Sequence, residues 1–457
     1  MDDSPLWWTV DRLVRAFADR ELSPVEVADM AEARIEETHS SLHAYVARTP
    51  ELARRQAREA ERAYRNGDAG PLAGVPVSIK DAFDVQGQVT TYGSLAHPRQ
   101  VARADSGAVR RLRTSGAVFV GKTNVPEFCQ SATTDNLLGP DTANPWDPAA
   151  TSGGSSGGAA ASVAAGTCTL ALGSDGGGSI RIPAAFCGLV GLKPTYGRIN
   201  GAGGLRAFSP FISAGPLARS VPDAARLFEV LGEGVAPAAA PARSSIAWCS
   251  HPEGRPVGRV LLEEVGRATE SLRALGHRLE PVDLRLDGWE QIFGPLVLAE
   301  EGERRGSLLE GEHPLTRYER RSLEAARRLA PATVSSARSA MAAYRERIDT
   351  YFDDFDVLVT PATATPAFPI GCRPGSIAGR RVDRLWGAFP FAVPFNVSGH
   401  PSIVLPVGFV DAMPVAIQLI GRRGADFELL QLAAELEAAL DLDLYNPESG
   451  TAPMSPM

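Results

Sequence analysis

A chain of 457 residues with 44% hydrophobic and 22% charged side chains has enough apolar material for a large buried core, which excludes a disordered chain. The formal net charge is −8 and Lys and Arg form no block, so the chain lacks the footprint of a nucleic-acid binder and small-molecule chemistry is favoured. The five cysteines, Cys129, Cys168, Cys187, Cys249 and Cys372, are never spaced as C-x-x-C, which argues against a disulfide framework or a zinc site and for a reducing, cytoplasmic setting.

In chain order, "MDDSPLWWTV" lacks the basic-then-apolar pattern of a secretory leader, and no apolar run reaches the roughly 18 residues of a membrane span. Val10, Leu13, Val14 and Phe17 recur at helix spacing, and Ser23, Pro24 and Glu26 form a capping box that starts a second helix. From "PLAGVPVSIKDAFDV" onward, strand-like runs at Val75 to Ile79 and Ala117 to Val120 alternate with helical stretches such as Gly107 to Ser115. That alternation predicts an α/β fold with helices on the faces of a mixed or parallel sheet. A strand over Ile246 to Cys249, a helix over Val257 to Leu275, a charged helical region from Glu300 to Tyr351 and a last helix over Asp426 to Leu440 follow. The expected organisation of 1–445 is a single domain: a helical N-terminal region (5–70), a glycine-rich core (71–232), a Pro/Ala-rich connector (233–245) and a C-terminal subdomain (246–445). The tail, 446–457, has the composition of a flexible segment.

"GAVFVGKT", Gly116 to Thr123, satisfies the pattern of a phosphate-cradling P-loop. The residues between its glycines are Ala117, Val118, Phe119 and Val120, which suit a pleated buried strand rather than a loop of exposed N–H groups. In "GVPVSIKDAFDV", Lys80 closes an apolar run; drawn into the interior, it would lose its proton more readily and could serve as a general base. Two serine-glycine clusters follow, "TSGGSSGG" at Thr151 to Gly158 and "GSDGGGSIRIPAAF" around Ser179, joined by an Ala-rich helical stretch and a short strand. The second runs into a helical segment, an arrangement that turns backbone N–H groups toward an anion.

Together with "GAVFVGKTNVPEF", "GPLARSVPDAA", "DVLVTPATATPAFPIG" and "PFNVSGHPSIVLPVGF", these pieces resemble the amidase signature family of serine hydrolases, in family order from Leu6 to about Leu440. The resemblance implies the amidase signature fold, with a large mixed and mostly parallel central sheet covered by helices on both faces. It also implies a Ser-Ser-Lys triad: Ser179 as nucleophile, Ser155 as bridging serine after a cis peptide bond at Gly154, and Lys80 as base. The physical chemistry agrees, because a hydroxyl that both donates and accepts can relay a proton from Ser179 to a neutral lysine. The N–H groups of Gly176, Gly177, Gly178 and Ser179 are the expected oxyanion hole. Ser156, Asp175 and Arg181 are expected in support, and His400 in a structural role.

The reaction so implied is hydrolysis of an amide to a carboxylic acid and ammonia or an amine through a seryl acyl-enzyme, without metal or organic cofactor. In "RLWGAFPFAVPFNVSGHP" there is no acidic residue where the family's glutamine-dependent transamidase subunits place one to read an amino group. Trp386, Phe389, Phe391 and Phe395 stand there instead and are expected to line an apolar acyl pocket, with burial in the core as the competing reading. The expected substrate is therefore a small apolar or aromatic carboxamide. The alternatives are an ammonia-supplying amidotransferase subunit with a partner, and an amide-forming or esterase acyl transferase on the same fold. The expected partner is the small-molecule amide, with neither nucleic acid nor membrane and with a homodimer allowed.

Overall fold

Strands form where aliphatic and β-branched residues run between glycine and proline punctuation. In the computed structural model, which describes residues 4–97, 101–199, 210–232 and 243–442, they are β1 (Tyr45–Arg48), β2 (Pro76–Lys80), β3 (Val118–Thr123), β4 (Leu170–Asp175), β5 (Val190–Lys193), β6 (Ser213–Ala218), β7 (Ser245–Trp248), β8 (Arg278–Pro281), β9 (Val357–Pro361), β10 (Ser376–Ile377), β11 (Arg380–Arg381), β12 (Ser402–Val410) and β13 (Met413–Gly421). One sheet joins eleven of them in the order β1-β3-β2-β4-β6-β5-β12-β13-β9-β7-β8, and β10 pairs with β11 apart from it. Strands β2, β3, β4, β9 and β13 are buried at every position, so the sheet is covered on both faces, as expected of an α/β fold.

The sheet is mixed, but the expected predominance of parallel pairs is not found. Among the described residues β2/β3, β2/β4, β7/β8 and β7/β9 run parallel, and the six other neighbouring pairs are antiparallel. One cause is a tight hairpin. Asp411 and Ala412, both at positive φ (50° and 63°), join β12 directly to β13 where a helical crossover would have kept them parallel. The P-loop pattern is a strand, with Gly121, Lys122 and Thr123 as the last residues of β3.

The helices at Val10–Ala18, Pro24–Leu42, Gly107–Thr114, Arg259–Ala274 and Asp426–Leu440 match the periodic segments. At Pro24–Leu42 the capping box is complete: Ser23 N donates to Glu26 at 2.9 Å and Ser23 Oγ accepts from Val25 N at 3.0 Å. Two features depart from expectation. Strand β1 interrupts the helical N-terminal region to edge the sheet beside β3, and the charged helical region begins earlier, dividing into Glu290–Arg305, Arg317–Arg327 and Pro331–Asp349. Residues 233–242 of the connector and all of the tail 446–457 lie outside the described residues, while Ser245 already belongs to β7. No described helix is long and apolar enough to cross a membrane.

Alternation along β2 decides where its lysine goes. Val77 and Ile79 enter one hydrophobic cluster with Leu170 and Leu172 of β4, so Ser78 and Lys80 face the other side. There the helix Gly157–Ala164 lies, every residue buried, and Ser78 Oγ meets its Ser162 Oγ at 2.9 Å. Small residues at its start let it lie so close: a Cβ at Gly158 would stand 2.5 Å from the Asn124 nitrogen. Lys80 is thus delivered to the N-terminal end of the helix that follows the serine-glycine cluster.

Candidate active site

Lys80 is completely buried at the end of β2. Its Nζ lies 2.7 Å from Ser155 Oγ, 2.8 Å from Ser156 Oγ and 3.2 Å from the Ser174 carbonyl, and it forms no ion pair among the described residues. Burial pushes its pKa below the ordinary lysine value, against the opposing pull of Cys129 and Asp175. The Gly154–Ser155 peptide bond is cis. A Cβ at Gly154 would stand 2.7 Å from the Thr133 carbonyl oxygen, so only glycine fits beside that neighbouring loop. Ser156 is tied in by four contacts: its Oγ to Lys80, its Oγ donating to the Ser174 carbonyl at 3.1 Å and accepting from the Ser174 N–H at 3.4 Å, and its N–H donating to the Ser179 carbonyl at 3.0 Å.

The loop carrying Ser179 is built on a buried ion pair. Asp175 ends β4, and Arg181 opens the helix Arg181–Cys187. Asp175 accepts from the N–H groups of Gly178 (2.7 Å) and Ile180 (3.2 Å) and from Arg181 Nε (2.9 Å). Arg181 also donates to the Ala392 carbonyl at 3.0 Å, Gln418 Oε1 at 2.8 Å and Asn396 Oδ1 at 2.5 Å. Burial alone would raise the Asp175 carboxyl, but the charge and hydrogen bonds of Arg181, with Asn396 and Lys193, hold it well below the usual carboxylate range. Gly178 adopts φ +109°, and a Cβ there would lie 2.7 Å from Ala392 Cβ, so the turn requires glycine. The expected group of four oxyanion donors shrinks accordingly. The Gly178 N–H is committed to Asp175, which leaves those of Gly176, Gly177 and Ser179 as the expected donors among the described residues.

Ser155, Gly176, Gly177 and Ser179 line one cleft, which encloses about 1030 Å³ between protein atoms with its open mouth included. Of the four aromatic residues expected to form its acyl wall, only Trp386 does so. Phe389, Phe391 and Phe395 are 0%, 1% and 0% exposed and belong to the core. Phe389 packs on Phe186 and Phe368, with ring centroids 5.9 Å away in each case. The apolar wall comes from elsewhere: Tyr92 and Phe128 from the loops after β2 and β3, Ile212 before β6, and Phe293 and Val297 from the helix Glu290–Arg305. Trp386 stands edge-on to Phe293 at 5.8 Å. Phe128 closes the motif "GAVFVGKTNVPEF"; the others lie in segments with no motif to mark them. His400 is buried away from the cleft, stacked on Phe352 at 4.7 Å, and burial lowers its pKa to about 3.

The family model described as Amidase matches residues 26–430. The chain belongs to the amidase signature family. AmiB2 of Mycobacterium tuberculosis, named as an amidase, is 39% identical over 445 residues, covering 93% of this chain and 94% of that one. The A-type subunit of the glutamyl-tRNA(Gln) amidotransferase of Carboxydothermus hydrogenoformans is 35% identical over 477 residues, covering 94% and 96%. A crystal structure of a bacterial aryl acylamidase of the amidase signature family superposes with a TM-score of 0.89 at 28% identity, covering 98% of this chain and all of that one. This amidase-family chain is accordingly a hydrolase of amide C–N bonds on an amidase signature fold.

Proposed function

We propose that this amidase hydrolyses a small carboxamide with an apolar or aromatic body through an acyl-enzyme on Ser179. The observation that carries the reading is the fully buried Lys80, held 2.7 Å from a Ser155 hydroxyl that opens on the same cleft as Ser179. Neutral Lys80 takes the Ser155 proton as Ser155 takes that of Ser179, and Ser179 Oγ attacks the amide carbonyl carbon. The N–H groups of Gly176, Gly177 and Ser179 receive the developing oxyanion. As the C–N bond breaks, the proton returns through Ser155 to the leaving nitrogen, and water then cleaves the seryl ester by the reverse relay. Ser156 holds Lys80, and Asp175 with Arg181 holds the loop. The aromatic character of the substrate is supported by Tyr92, Phe128, Phe293 and Trp386 on the cleft wall.

The test is release of ammonia or amine from a panel of aryl and alkyl amides, with mass-spectrometric capture of the acyl group on Ser179. Full hydrolysis by Ser179→Ala, or an acyl group on another residue, refutes the mechanism. A second reading, an ammonia-supplying amidotransferase subunit, draws on the 35% identity to the glutamyl-tRNA(Gln) amidotransferase relative. Against it, Phe389 to Phe391 stand buried where an acidic reader of the amino group would be needed. Glutamine in the same panel separates the two: hydrolysis of glutamine in preference to every aryl and alkyl amide favours the second reading.

A further inference from the structure

We infer that the substrate of this amidase carries a carboxylate and that Arg373 recognises it. The inference rests on the reading of the cleft as the amide site and adds a charged end to the apolar body proposed there. Arg373, in the segment between β9 and β10, lines the same cleft as Ser179. Its guanidinium is framed, not neutralised. One terminal nitrogen donates to Ser131 Oγ at 2.6 Å and to Thr133 Oγ1 at 3.0 Å, and the other reaches the Leu385 carbonyl at 3.5 Å. Guanidinium offers five N–H donors, so these three bonds leave two without a protein acceptor among the described residues. No carboxylate of those residues comes within 4.0 Å of it.

The nearest carboxylates are occupied with the frame itself. Asp135 accepts from Thr133 Oγ1 at 2.7 Å and from Ser131 Oγ at 3.4 Å, which turns both hydroxyl oxygens toward the arginine. Asp383 accepts from the N–H groups of Leu385 and Trp386, each at 2.8 Å. The other charges on the cleft have partners of their own: Glu300 stands 3.4 Å from Arg304, and Glu301 accepts from Ser322 and stands 3.7 Å from Arg305, which it shares with Glu319 at 2.6 Å. Arg373 is thus a cation held in position from behind, half-buried, with its desolvation unrelieved by an ion pair. A site built in this way gains most from an anion that arrives with the ligand. Burial lowers the pKa of Arg373 while Asp135, Tyr318 and Asp383 resist, which agrees with that geometry.

The experiment compares two matched series in the full-length enzyme. One places the carboxylate on the acyl part, as monoamides of linear dicarboxylic acids against alkyl amides of equal length. The other places it on the leaving amine, as N-acyl-4-aminobenzoates against the corresponding anilides. In at least one series the wild type is expected to favour the charged member in kcat/KM, mainly through KM. Arg373→Met should cut that charged-to-neutral ratio by about tenfold to a hundredfold, with partial recovery in Arg373→Lys. The same ratio is read from calorimetric binding of the probes to Ser179→Ala, which needs no turnover. A ratio unchanged in folded Arg373→Met, or a wild type that prefers the neutral member in both series, overturns the inference. If no amide of either series is hydrolysed yet the Ser179→Ala protein binds the charged probes more tightly in an Arg373-dependent way, the recognition stands and the seryl mechanism falls.

Discussion

Strands β2 and β3 lie side by side, and each delivers a fully buried lysine near its C-terminal end, yet the two have opposite surroundings. Lys122 meets Asp81 Oδ1 at 2.7 Å and Thr90 Oγ1 at 2.9 Å, an ion pair sealed on all sides. Among the described residues Lys80 meets two serine hydroxyls and a carbonyl, and no carboxylate. In the parallel register Lys80 is opposite Thr123, so the side chains of Lys80 and Lys122 leave the sheet on opposite faces. The lesson is that burial alone does not make a base. A buried cation with a carboxylate at contact has its charge offset in place, whereas one met by neutral hydroxyls can shed its proton and use the same hydroxyls as a conduit.

The contrast can be broken at either lysine. Lys80→Met should lower kcat by roughly 10²–10⁴-fold, the worth of a positioned general base, with the fold intact by thermal melting. Lys122→Met should do the reverse, costing about 3–5 kcal/mol of stability in a denaturant titration because Asp81 is left buried and unpaired, while the folded enzyme keeps the wild-type pH profile. Next in size is that profile. The base works only when deprotonated, so kcat/KM should rise with pH and level off at an inflection below the ordinary lysine range, since the Lys80 pKa is lowered. Ser156→Ala removes an acceptor that favours the ammonium, and the inflection should move lower still; an upward move would contradict this account of the two hydroxyls.

The smallest effect lies far from the cleft, at a carboxyl rather than a lysine. Burial raises Glu437 to about 7, against the Val221 N–H it accepts. A carboxyl whose pKa is raised on folding contributes stability that is fully present below its unfolded value of about 4.5 and lost as pH rises through about 7. Denaturation midpoints measured across that window should fall in the wild type and flatten in Glu437→Gln.

Much of this site is legible in sequence because its parts are local: Lys80 at the end of an apolar run, and serines set among clustered glycines. The Gly-rich loops signal close backbone approach, and at Gly154 and Gly178 the room left for a Cβ bears that out. Two things are not legible. Which N–H groups stay free depends on where Asp175 points, and a run of three glycines does not reveal that Gly178 has been claimed. The cleft wall is misplaced by sequence reasoning because aromatic content identifies burial and not direction. Phe389, Phe391 and Phe395 lie close to Trp386 in the chain yet face the core, while Phe293 and Arg373 reach the cleft from segments that share no pattern with the glycine loops. Strand direction fails similarly, since a two-residue turn at Asp411 and Ala412 reverses a path that composition alone leaves open.

The bonds of Arg181 to Ala392, Asn396 and Gln418 bridge sequence separations of 211, 215 and 237 residues. A chain severed in the 233–245 connector would yield a first fragment holding Lys80, Ser155 and Ser179, and that fragment would lack the struts that set the curvature of the Ser179 loop. Ser155 and Ser179 therefore cannot be transplanted as a cassette. Joining the first half of this protein to the second half of a relative would part the loop from its own scaffold, and the hybrid's activity would track how well the relative matches Asn396 and Gln418, not how many site residues were carried across.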